Sequence, residues 1–107
     1  MYTKIESSAN EFYKHLKKLQ TKKERDKTLH YVAEGIRAVA DAVKNKADIY
    51  AIVLCEGYDP EINLENQKVY KLSQKLFDDV KETVTSQGIM AVINYKIQNF
   101  KGSHIAA

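Results

Sequence analysis

Apolar residues recur along this chain at two spacings, and the change from one to the other marks its elements. Ile5, Ala9, Phe12, Leu16 and Leu19 fall four and three apart, the spacing that lines one face of a helix. A helix is predicted over them, with Ser8-Ala9-Asn10-Glu11 able to supply a capping box. Leu29 to Ala33 is a short β-prone run that Glu34-Gly35 breaks, and Ile36, Val39, Ala40 and Val43 return to helical spacing until Asn45-Lys46.

Ile49 to Leu54 is almost continuously apolar, which suits a strand covered on both faces. Gly57, Asp59 and Pro60 predict a loop, and Pro60 opens a short helix toward Gln67. Val69–Leu72 is predicted as a strand. Ser73 then caps a helix presenting Leu76, Phe77 and Val80, Thr83 to Gly88 is polar loop, and Ile89 to Tyr95 is a last strand. Strands alternating with helices predict an α/β fold, a three-layer α/β/α sandwich with a mainly parallel four-stranded sheet.

Composition narrows the class. The 107 residues are 44% hydrophobic and 29% charged, as expected of one globular domain and not of a disordered or collagen-like chain. No apolar run is long enough for a membrane span, and Met1-Tyr2-Thr3-Lys4 opens without a signal-peptide core. With Cys55 the sole cysteine, an intrachain disulfide is excluded and a cytoplasmic location is expected.

Net charge is only +3, but residues 1–53 carry 11 basic and 7 acidic side chains against 6 and 7 in residues 54–107. The excess is concentrated in Lys14, Lys17, Lys18, Lys22, Lys23, Arg25 and Lys27, opposed locally by Glu24 and Asp26. It adjoins Gly35, where a strand turns into a helix whose first N–H groups suit an anion such as phosphate. Tyr13 and His15, interleaved with the lysines, are the residue types that stack on exposed bases. A solvated charged face and a plain turn would explain the same residues without a ligand.

Other chemistries find little support. His15, His30 and His104 lack zinc-ligand spacing with one another or with Cys55, and Cys55 has no recognisable activating partner. Asp78 and Asp79 are adjacent on a predicted helix and point in different directions. There is no P-loop or dinucleotide fingerprint.

Arg25-Asp26-Lys27, Tyr31-Val32-Ala33-Glu34-Gly35-Ile36-Arg37 and Gln87-Gly88-Ile89-Met90-Ala91-Val92, in this order and spacing, resemble the N-terminal substrate-binding domain of the SpoU/TrmH RNA ribose 2′-O-methyltransferases. The resemblance runs from about Ser8 to Tyr95. Tyr31, Leu29 and Ala33 stand where the family commonly has Phe, Gly and Val. The resemblance implies a fold like that of the kink-turn-binding ribosomal proteins and a structured RNA partner, ribosomal or transfer RNA. With the charge of Lys22, Lys23, Arg25, Lys27 and Arg37, which favours phosphate, it gives expected RNA contacts at those residues and at Glu34, Gly35, Gln87 and Gly88; Glu34 is expected to shape the turn, and the residue types of Thr83, Thr85 and Ser86 could add polar groups.

In that family a second, knotted domain binds S-adenosylmethionine, carries catalysis and usually dimerises. Its motifs are not in this sequence. The expected organisation is therefore an RNA substrate-binding domain over residues 1–96, followed at 97–107 by the start of a linker. Such a chain would hold no cofactor and be inactive alone. The alternative is a complete kink-turn-type RNA-binding protein; those proteins follow their turn glycine with Asn-Glu, where this chain has Arg37-Ala38 after Gly35-Ile36.

Overall fold

A computed structural model describes residues 2–81 and 87–95. The chain enters as strand β1 (Tyr2–Ile5), then forms helices α1 (Glu11–Lys18) and α2 (Lys22–Thr28). Strand β2 (His30–Glu34), helix α3 (Ile36–Lys44) and strand β3 (Ile49–Cys55) follow. Strand β4 (Val69–Leu72), helix α4 (Gln74–Val80) and strand β5 (Ile89–Asn94) complete it.

The sheet has five strands in the order β1-β4-β3-β5-β2. β4 pairs in parallel with both β1 and β3, whereas β5 is antiparallel to both β3 and β2. Four of the five strands therefore run one way, and β5 alone opposes them. α4, which precedes it, has seven residues, about 10 Å. Lys81, just past α4, and Gly88, just before β5, border the same cleft. The chain thus enters β5 beside the carboxyl ends of β3 and β2, opposite Leu54 and Glu34.

Helices cover both faces. On one, Phe12 and Leu16 of α1 and Phe77 and Val80 of α4 pack on Ala51, Val53 and Val92. On the other, Val39 of α3 packs on Ile52, Leu54 and Ala91. β3 feeds both cores alternately, the reason for its unbroken apolar run. The three-layer expectation holds, with one strand more than expected.

That extra strand corrects the first element. Ile5 is in phase with Phe12 and Leu16, but it belongs to β1, paired with Leu72 of β4. The helix starts only at Glu11, where Asn10 accepts the Tyr13 N–H at 3.0 Å and so satisfies a donor of the first turn. The basic run past α1 is a second helix, capped by Thr21 Oγ1 on the Glu24 N–H at 3.3 Å. Leu29 ends it in the left-handed region at φ 60°, so β2 begins at His30. Residues 60–67 form no helix: the segment is irregular, with Leu64 buried.

Candidate nucleic-acid interface

Antiparallel pairing of β2 with β5 brings the two glycine motifs into contact. Glu34 lies opposite Met90, and one step further the Gly35 N–H donates to the Ile89 carbonyl at 2.9 Å. Gly35 sits at φ 102° and ψ 151°, a region open almost only to glycine. Having no side chain, it cannot cap α3. Gln87 does so from across the sheet, its Oε1 accepting the Ile36 N–H at 2.8 Å.

The anion site expected at this helix start is therefore partly filled by the protein's own amide. Gly88 is likewise packed against the protein. It is buried, and a Cβ there would lie 3.2 Å from Cβ and Cγ of Tyr58. Tyr58 is thus one neighbour whose close approach the missing side chain permits. Arg37 is exposed on the first turn of α3 and Glu34 is half-buried. Thr83, Thr85 and Ser86 lie outside the described residues.

The cations of α2 join the other end of β2. Leu29 and Gly35 flank the five extended residues of that strand, about 20 Å apart, so the basic segment and the turn do not form one cradle. Lys22, Lys23 and Lys27 are exposed. Lys22 Nζ pairs with Asp26 Oδ2 at 2.7 Å, a solvent-exposed ion pair of small energetic weight. Arg25 turns inward, and Nη1 donates to the Leu19 carbonyl at the end of α1, at 2.9 Å. Its first role is to lock α2 onto α1.

The tertiary structure also assembles rings that the sequence leaves scattered. His15 Nε2 and His30 Nδ1 share a hydrogen bond of 2.8 Å. Tyr50 lies 4.6 Å from His30 and 6.4 Å from Phe12, and Phe12 stacks on Tyr70 at 3.9 Å between centroids. Burial holds the His15 imidazole below its ordinary pKa; His30 and Lys18 push the same way, and Glu24 opposes them. His15 is a stacking candidate from the sequence; His30, Tyr50 and Tyr70 escaped sequence reading because the rings are joined only by contacts between distant segments. Among the described residues no set of three His, Cys, Asp or Glu is placed to hold a metal.

Tyr13, expected as a stacking candidate, is buried. Its hydroxyl donates to Asp79 Oδ2 at 3.5 Å, and burial, with Asp79 adding to it, raises the phenol pKa. A cleft of about 290 Å³ opens at the carboxyl end of β3, bordered by Cys55, Gln74, Asp78, Lys81 and Gly88. Its polar groups bond one another: Cys55 Sγ donates to Gln74 Oε1 at 3.3 Å, Gln74 Nε2 to Asp78 Oδ1 at 2.9 Å, and Lys81 pairs with Asp78 at 3.3 Å. Burial, reinforced by Asp78 and Glu56, pushes the Cys55 thiol up, which keeps it protonated and a poor nucleophile.

Comparison with known proteins gives these surfaces a context. Residues 10–91 match the family described as MRM3-like substrate binding domain. The 23S rRNA (guanosine(2553)-2′-O)-methyltransferase RlmP of Bacillus subtilis is 39% identical over 89 residues, covering 82% of this chain and 36% of its own length. The chain thus spans about a third of that relative. An rRNA methyltransferase from Sinorhizobium meliloti shares the fold at TM-score 0.73 and 20% identity, over 89% of this chain and 38% of the other. An RNA 2′-O ribose methyltransferase does so at 0.78 and 17%, over 98% and 42%. The sequence match and the shared α/β architecture agree: this chain belongs to the MRM3-like substrate-binding domain family, the N-terminal domain of the SpoU/TrmH RNA ribose 2′-O-methyltransferases.

Proposed function

We propose that this domain binds structured RNA, ribosomal or transfer, and positions it for ribose 2′-O-methylation by a catalytic domain of the same polypeptide. The observation that carries this reading is the exposure of Lys14, Lys17 and Lys18 on α1 and of Lys22, Lys23 and Lys27 on α2, two consecutive helices, within a family described by substrate binding. Such a surface gains affinity by releasing counterions from phosphate. Arg37 adds a guanidinium at the start of α3, suited to a two-pronged phosphate contact.

S-adenosylmethionine is bound in a second structure of the Sinorhizobium methyltransferase. In the cleft beside Cys55 the polar groups of Gln74, Asp78 and Lys81 bond one another. In this reading the cofactor belongs to a further, knotted domain, through which the parent enzyme dimerises in the cytoplasm.

Fluorescence anisotropy of this chain with the 23S rRNA segment around the guanosine named for the Bacillus relative tests the reading across a KCl series. Binding should weaken with a log–log slope of about −0.7 to −0.9 per phosphate contact. A Lys23→Ala, Lys27→Ala variant should flatten the slope by nearly two such contacts, and Arg37→Ala by one. Equal loss from Lys44→Ala, Lys75→Ala on other helices would reduce the interface to diffuse attraction.

A further inference from the structure

We propose that the exposed ring of Tyr50, braced by His15 and His30, is a stacking platform for one unpaired RNA base. The proposal deepens the RNA-binding reading and rests on it. Tyr50 is 45% exposed, although the next five residues of β3 are all buried. The cause is in the register. Ile49 pairs with Ile93 and Ala51 with Val92, so β3 places two steps against one of β5 and Tyr50 is the extra residue of a bulge. Bulges re-aim side chains and are over-represented beside functional sites.

Here the bulge turns Tyr50 toward the face covered by α1, where three rings surround it. His30 overlaps part of one face at 4.6 Å and a tilt of 33°, and Phe12, stacked in turn on Tyr70, lies nearly parallel but offset at 6.4 Å. The His15–His30 hydrogen bond fixes the two imidazoles edge to face, at 80° and 5.0 Å. A ring held in this way loses little freedom when a flat partner settles on it.

The charge around the rings names the partner. Lys18 is near enough to press the His15 pKa down, and Lys68 Nζ sits 5.6 Å over the Tyr70 ring at the far end of the row. Cations flanking an aromatic surface are the arrangement that holds single-stranded nucleic acid, with bases on the rings and phosphates on the lysines. A paired base keeps its faces inside the helical stack, so the occupant must be splayed from a loop or bulge.

The test uses this chain with two RNA probes of matched length: a hairpin carrying 2-aminopurine in its loop, and a blunt duplex. Saturating the hairpin with the wild-type chain should quench the 2-aminopurine. Tyr50→Leu should weaken hairpin binding roughly five- to a hundredfold, the range for one base stack, with duplex affinity and salt slope unchanged. Tyr50→Phe should restore hairpin binding. Lys23→Ala, Lys27→Ala should instead lower the salt slope and leave the quench at saturation intact.

Salt-dependent binding without quench in the wild type overturns the platform and leaves the RNA reading standing. Folded Tyr50→Leu that binds the hairpin like wild type does the same. No binding of either probe overturns both. If Tyr50→Leu fails to fold, Tyr50→Thr, which keeps a strand-forming residue at this exposed position, takes its place: loss of the quench supports the platform and its retention overturns it.

Discussion

The side-chain carbonyl of Gln87 accepts a 2.8 Å hydrogen bond from the backbone N–H of Ile36, tying the entry of β5 to the first turn of α3. Gly35 offers no cap of its own, so one long side chain from the segment before β5 takes that role. Gln87→Ala should cost about 0.5–1 kcal/mol, the lower part of the range for N-caps because the bond is exposed. In a domain of this size 1 kcal/mol lowers Tm by about 4–8 °C. Gln87→Glu keeps the acceptor and adds a negative charge at a helix N-terminus; thermal unfolding should find it as stable as wild type.

Gly35 and Gly88 should differ in how badly they tolerate alanine. At Gly35 a Cβ would meet only Gln87 Oε1, at an ordinary 3.6 Å, so the penalty is backbone strain at φ 102°, about 1–3 kcal/mol. At Gly88 the same kind of strain, at φ 98°, adds to the 3.2 Å approach of Tyr58. Chemical denaturation should therefore rank Gly88→Ala below Gly35→Ala, and both below wild type. The reverse order would mean that Tyr58 moves aside freely.

Leu29 ends α2 at φ 60° while 41% exposed. A branched apolar residue in that conformation costs about 1–2 kcal/mol. Leu29→Asn should raise stability by about 0.5–1 kcal/mol, because asparagine tolerates this conformation and ends helices well. A lower denaturation midpoint for Leu29→Asn would show that the leucine side chain contributes more by packing than its backbone costs.

Arg25 donates to the Leu19 carbonyl from a half-buried position. Arg25→Ala leaves that carbonyl without this partner and should lower stability by about 1 kcal/mol, which equilibrium unfolding in urea would register. Any loss of RNA affinity in this variant must be read against its loss of fold, whereas Lys23 and Lys27 carry no such ambiguity.

Acid should loosen the His15 contact. The imidazole has a folded pKa below its ordinary 6.5, so between the two values the unfolded chain holds a proton that the folded chain does not. Stability is then full above about pH 6.5 and falls as pH drops toward the folded value. The groups acting on His15 are His30 across the bond, Lys18 on its own helix and Glu24 on α2. Urea midpoints at pH 7.5 and 5.5 should differ more for wild type than for His15→Gln.

The periodic pattern alone was enough for the three layers. Helical spacing marked the buried faces of α1, α3 and α4, and the apolar run at Ile49–Leu54 marked the central strand, because burial repeats along the chain at the period of the element. The basic excess near α2 and the two Gly-bearing turns were equally legible, since charge and glycine punctuation are local properties.

Contacts between distant segments were not. Ile5 fits the helical phase of α1, yet joins a strand because β4 offers it backbone partners, and no residue near Ile5 signals that. Once β5 enters between β3 and β2, Gln87 reaches Ile36, Gly88 meets Tyr58, and Tyr50 is displaced by the mismatch of two strands. His15 and His30 meet because a helix crosses a sheet edge. Hydrogen bonds and ring contacts between segments depend on three-dimensional distance, which residue spacing does not encode; the packed sheet alone sets it.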